Sequence, residues 1–234
     1  MVPHTVSSYD EELRSLLGRV TEMAGIVESM VGGSVRALLR GDSHLAEEMR
    51  SLDKRVDDLD SAVEDAAVLM IAKRQPMGDD LRTIVSSMRV SQDLERVGDL
   101  AKNIAKRALA LSGTSIPRRL AGGVEHLADL AVRQLSSAVD AMANGEADLA
   151  VKVWENDDEI DALYTSLFRE LLTYMMEDPR NISTCTHLLF CAKNMERIGD
   201  HATNIAERAY YMQTGEQLTG DRPKLDTVLA EGEA

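Results

Sequence analysis

Carboxylates, an amide and an arginine recur in two matched stretches of this chain, spaced so that they share one side of a helix. The later stretch reads Lys193-Asn194-Met195-Glu196-Arg197-Ile198-Gly199-Asp200-His201-Ala202-Thr203-Asn204-Ile205-Ala206-Glu207-Arg208. The earlier one reads Gln92-Asp93-Leu94-Glu95-Arg96-Val97-Gly98-Asp99-Leu100-Ala101-Lys102-Asn103-Ile104-Ala105-Lys106-Arg107. With an advance of about 100° per residue, Glu196, Asp200, Asn204 and Glu207 gather away from a seam of Met195, Ile198, Ala202 and Ile205. Glu95, Asp99 and Asn103 do the same in the earlier copy. Upstream of each copy stands a second acidic pair, Asp53 with Asp57 and Asp157 with Asp161, in the matched settings Asp-x-x-Val-Asp and Asp-x-x-Ile-Asp.

Like charges one turn apart cost an isolated helix about 0.2–0.5 kcal/mol. A pair that appears on two helices of both copies implies an offsetting gain. If neighbouring helices bring the pairs together, four carboxylates and an Asn carbonyl would surround a cation. Oxygen donors suit Mg²⁺, Mn²⁺ or Ca²⁺, and carboxylate clusters also hold iron or zinc. The competing reading is a solvated acidic face that binds nothing, because Asp and Glu ordinarily sit outside. Both readings stand at this point. His201 beside Asp200 reads as an ordinary flank residue rather than a nitrogen ligand, and Arg96 and Arg197 read as local partners of the carboxylates.

Other chemistry finds little support. His4, His44, His126, His187 and His201 keep no ligand spacing, and none follows a Glu by three residues, as a di-iron oxidase would want. No Gly-rich phosphate loop or nucleophile elbow is present. Cys185 and Cys191, six apart on a helix, point in different directions and read as small hydrophobes. A glycine inside a helix costs about 1 kcal/mol relative to alanine, yet Gly98 and Gly199 both stand mid-pattern. Close approach by a neighbouring helix is the expected reason.

The elements that must hold these residues are helices. Apolar residues make up 44% of the chain but aromatics only 3%, a mixture that favours packed helices over sheets. Helices are expected over Tyr9 to Arg40, Ser43 to Arg74 and from Asp79 past Ile104, then over Arg118 to Ala143, Glu146 to Met176 and from Pro179 to about Met212. Gly41-Asp42, Gln75-Pro76, Asn144-Gly145 and Asp178-Pro179 punctuate them. At 1.5 Å per residue such helices are on the order of 45 Å long. The internal repeat says that one three-helix unit is used twice. The expected architecture is therefore all-α: two tandem, pseudo-symmetric, antiparallel three-helix bundles of six long helices. Residues 1–112 form the first, 113–117 a linker, 118–214 the second, and 215–234 a polar tail expected to be disordered.

With 26 basic and 40 acidic residues, a net charge of −14 repels phosphate backbones and argues against nucleic acid as a partner. No apolar run is long enough to span a bilayer. With neither a signal core nor a disulfide framework, the chain reads as cytoplasmic.

Assembled, these residues resemble the PhoU family of accessory regulators of phosphate-specific transport. The resemblance rests on Ile71-Ala72-Lys73-Arg74-Gln75-Pro76, on Leu94-Glu95-Arg96-Val97-Gly98-Asp99, and on the run from Met195 to Glu207, and it extends from about residue 8 to residue 213. It implies a pseudo-two-fold pair of bundles and, in some members, multinuclear iron or zinc at the acidic motifs. It also implies a negative regulator of the phosphate-starvation response that links the ATPase subunit of a phosphate ABC transporter to a sensor histidine kinase, and it leaves a homodimer open. A carboxylate-cluster metalloenzyme and a purely structural helical scaffold are the alternatives. Lys106 stands where the second unit has Glu207. A cation is therefore expected more readily in the second unit than in the first, where Lys106 would oppose it or stand in for it.

Overall fold

The computed structural model describes residues 3–218. Its helices are α1 (Pro3–Arg40), α2 (Ser43–Arg74), α3 (Asp79–Ala110), α4 (Arg118–Asn144), α5 (Ala147–Glu155), α6 (Asp157–Glu177) and α7 (Ile182–Thr214). No strand occurs among the described residues. The expected disordered tail lies, from residue 219 onward, outside them.

Local chemistry sets the ends. The Asp42 carboxylate accepts from the Leu45 backbone N–H at 3.0 Å and caps α2. Gly145 closes α4 at φ 71°, in the left-handed region that suits a glycine after a helix. Gln75 closes α2 in the same region, at φ 48°, with Pro76 next to prevent continuation.

Two helices differ from expectation. The fifth is broken at Asn156, and the reason is tertiary. The Gln134 amide of α4 reaches across at the break and donates to the carbonyls of Val153 and Asn156, both at 3.4 Å, while the Asn156 carbonyl also accepts from the Glu159 N–H. The helix restarts with Asp157, Asp158 and Glu159 in its first turn, where negative charge meets the positive end of the dipole. The sixth opens as a single 3-10 turn, Pro179–Asn181, before α7 begins.

α1, α2 and α3 form one bundle, and α4, α5–α6 and α7 the other. The bundles join through matched elements, α3 on α7 and α1 on α4, which is how a pseudo-two-fold pair meets. α3 and α7 run antiparallel: Asp93 of α3 meets His201, and Arg107, further along α3, meets His187. Among the described residues α2 packs only on α1 and α3, so it flanks the assembly. The core is aliphatic, with Met23, Met30, Ile84, Leu94 and Ile104 in the first bundle and Leu120, Leu127, Leu135, Ile160 and Leu171 in the second. Cys185 and Cys191 are buried free thiols, and burial pushes Cys191 up to about 12. No described helix is long and apolar enough to cross a membrane.

The helical glycines let the third helix of each bundle lie close to the second. A Cβ on Gly98 would meet Val56 Cγ1 at 3.3 Å, and one on Gly199 would meet Ile160 Cδ1 at 2.6 Å. Gly199→Ala should therefore lower stability in urea unfolding, although alanine alone would add about 1 kcal/mol of helix propensity. Combining it with Ile160→Val, which removes the obstructing methyl, should recover part of that loss.

Candidate functional site

In the first bundle Asp53 and Asp99 meet across the groove between the second and third helices, and in the second Asp157 meets Thr203 across the matched groove. In the first bundle the cation is a lysine of the chain itself. Lys102 Nζ donates to Asp53 Oδ2 at 2.5 Å and to Asp99 Oδ1 at 3.1 Å, tying α2 to α3. Its hydrogen bond to Asp53 holds the ammonium pKa above the usual lysine value. Asp57 and Glu95 are pushed up, each first by burial. For Asp57 the next cause is the neighbouring Asp53. For Glu95 the nearby Arg96 opposes the shift while Asp99, Asp57 and Asp60 reinforce it.

The counter-charge is Lys102 rather than Lys106. Lys106 Nζ reaches only Asn103 Oδ1, at 3.4 Å. Lys102 lies three residues beyond Asp99, one turn further along the same face, which is why it and not Lys106 closes on the pair.

In the second bundle Thr203 stands at the matched place, and the compensation changes kind. Asp157 is 3% exposed. The Thr203 hydroxyl donates to its Oδ1 at 2.7 Å. Its place in the first turn of α6 adds the dipole of that helix. Glu196 accepts from Lys193 at 2.7 Å through Oε1, while its Oε2 is buried with no hydrogen-bond partner. Asp161 and Asp200 are partly buried on α6 and α7. Asn204 donates to Asp93 of the other bundle at 3.3 Å, and Glu207 is half-buried three residues on.

Among the described residues no three His, Cys, Asp or Glu side chains converge as they would around a metal ion. The first groove does not fit a cation, because Lys102 already supplies the positive charge there. The donor chemistry of the second does: it is oxygen-rich and includes the orphaned Glu196 oxygen.

His201 is not a flank residue. Its Nδ1 lies 2.8 Å from Asp93 Oδ1, so His201 and Asn204 of α7 both hold one carboxylate of α3 and clamp the two bundles together. Sequence reading missed Lys102, Thr203 and Asp93. The repeat itself carried a signal for the first two, since Lys102 and Thr203 occupy matched positions and differ in charge.

Lys102→Met should cost about 1–2 kcal/mol, because it leaves partly buried carboxylates without their partner. Adding Asp53→Asn should restore part of it. Glu95→Gln should act in the other direction. The Glu95 pKa is raised in the fold, so its contribution favours folding below the ordinary carboxylate range and is lost as pH rises through the folded value. Thermal melts should show Glu95→Gln stabilising at pH 7 and indifferent near pH 4.

The model of the PhoU domain matches residues 20–108 and again 124–209. The phosphate-specific transport system accessory protein PhoU homolog of Rhizobium meliloti (strain 1021) is 58% identical over 229 residues, covering 98% of this chain and 97% of its own. That of Caulobacter vibrioides (strain NA1000 / CB15N) is 49% identical over 228 residues, covering 97% and 99%. The crystal structure of PhoU from Pseudomonas aeruginosa superposes with a TM-score of 0.86 at 38% identity, over 89% of this chain and all 100% of that one. The phosphate transport system regulatory protein PhoU from Streptococcus pneumoniae does so at 0.82 and 28%, over 91% and 100%.

Proposed function

Because this chain belongs to the PhoU family, we propose that it is a regulator associated with phosphate transport, acting as an adaptor rather than as an enzyme. In this reading it restrains the phosphate-starvation response when phosphate is plentiful, by linking the ATPase subunit of a phosphate ABC transporter to a sensor histidine kinase in the cytoplasm. The observation that carries the reading is the near end-to-end match, at 58% identity, to a relative named for that transport system. The net charge of −14 suits basic docking surfaces on such partners. Deleting the gene in a strain without a second copy should raise phosphate-response transcription in phosphate-rich medium, measured with a reporter. Unchanged transcription would defeat the reading. Binding of the purified ATPase subunit should weaken as salt rises.

A cation belongs, in the same proposal, to the second bundle. The orphaned Glu196 Oε2 favours it there. Asp157, Asp161, Glu196 and Asp200 would hold it, with Asn204 or Glu207 completing the set. Iron or zinc, or alternatively Mg²⁺, Mn²⁺ or Ca²⁺, meets that donor chemistry. Elemental analysis after growth with iron and zinc should show metal lost from the Glu196→Ala/Asp200→Ala protein and retained in the Glu95→Ala/Asp99→Ala protein. A parent protein without metal, or equal loss from both, would refute the assignment.

A further inference from the structure

The pseudo-two-fold axis relates two junctions between the bundles, and they are built from different chemistry. At one, Arg107 lies over the Phe190 ring, 4.5 Å from its centroid, and Lys193 lies 5.2 Å from that of Tyr164. The repeat places Arg89 where the other copy has Phe190, and Asp60 where it has Tyr164. With both aromatic rings replaced by charged groups, the second junction is an open polar cleft of about 930 Å³ between α3 and α7, with Asp60 of α2 at its side.

Three arginines, Arg89, Arg96 and Arg208, line this cleft, on a chain whose overall charge is strongly negative. Two of its carboxylates are engaged within the protein. Asp93 is held by His201 and Asn204, and Glu95 lies 3.5 Å from Arg96. Two buried polar atoms remain without a hydrogen-bond partner, the donor Arg208 Nε and the acceptor Asp60 Oδ1. Both residues line the cleft, so a group bound there meets the Asp60 carboxylate and the Arg208 guanidinium.

We infer that this cleft binds inorganic phosphate. Arginine forks match phosphate oxygens in geometry and charge. Near neutral pH, inorganic phosphate also keeps an O–H, which can donate to Asp60. Sulfate is the same size but carries no proton at that pH, so it would set its oxygens against the Asp60 carboxylate. The Asp60 carboxylate is thus the feature that selects phosphate from other tetrahedral anions. The lining holds no Phe, Tyr or Trp, and its one imidazole, His201, is held by Asp93.

The site stands apart from the regulatory reading, because it is tested on the purified full-length chain without partners. Calorimetric titration at low ionic strength and pH 7.5 would use inorganic phosphate, phenyl phosphate and sulfate. Phosphate should bind, with sulfate at least about tenfold weaker. Arg208→Ala and Arg89→Ala should each weaken phosphate at least about tenfold, the usual return of a charge-assisted hydrogen bond. Arg55→Ala, outside the cleft, should not. Asp60→Asn should bring sulfate and phosphate closer together. Phenyl phosphate, a dianion without an O–H at pH 7.5, should bind more weakly than inorganic phosphate, and a preference for it would overturn the inference. Far-UV circular dichroism would show that each variant folds, and Arg89, being exposed, keeps the test open should Arg208→Ala unfold. No phosphate binding up to about 10 mM, where binding free energy falls below that of a millimolar site, would overturn the inference. So would sulfate binding as tightly as phosphate, or affinity untouched by both arginine variants.

Discussion

Each bundle sets an aspartate against the groove between its second and third helices, and an ionised carboxylate there must be compensated. Desolvation of a charge costs more than a single helix contact returns, so the surroundings have to be arranged around it. Asp53, with a side chain 13% exposed, is met by the Lys102 ammonium, a full opposite charge delivered from the neighbouring helix. Asp157, more deeply buried, is met by a hydroxyl and by the start of a helix. The break at Asn156 is therefore connected to the charge problem. Gln134 donates to two carbonyls at the break, α6 begins one residue later, and Asp157 sits where backbone N–H groups and the dipole favour a negative charge.

The two bundles are not interchangeable. Duplication preserved the seams, the close glycine packing and the antiparallel meeting of α3 with α7. It did not preserve the groups that neutralise the grooves or fill the junctions. Lysine faces threonine across the repeat, and arginine faces phenylalanine. The aliphatic seams beside these exchanges are kept, although Thr203 is fully buried where Lys102 is part-exposed. Interaction chemistry does not tolerate them silently: one groove is internally neutralised and the other keeps an orphaned oxygen, while one junction is closed by rings over cations and the other is open and polar.

The amino-acid sequence by itself determined the helices, their apolar faces, most of their ends and the use of one unit twice. Periodicity, caps and breakers act over a few residues and need no partner to be read. Gly98 and Gly199 were legible as close-approach positions for the same reason, since a helix interior that accepts glycine twice at matched places points to a neighbour. Only the tertiary structure decided which cation answers Asp53. Lys102 and Lys106 are both within reach on paper, and rotation about the α3 axis relative to α2 selects the first. Only the tertiary structure broke the fifth helix, because the cause is a glutamine from α4, distant in sequence. His201 and Asp93 became a clamp, and Arg208 and Asp60 neighbours of one cleft, through the way α3 lies across α7. That relation arises from packing between the bundles, and no spacing within either copy encodes it.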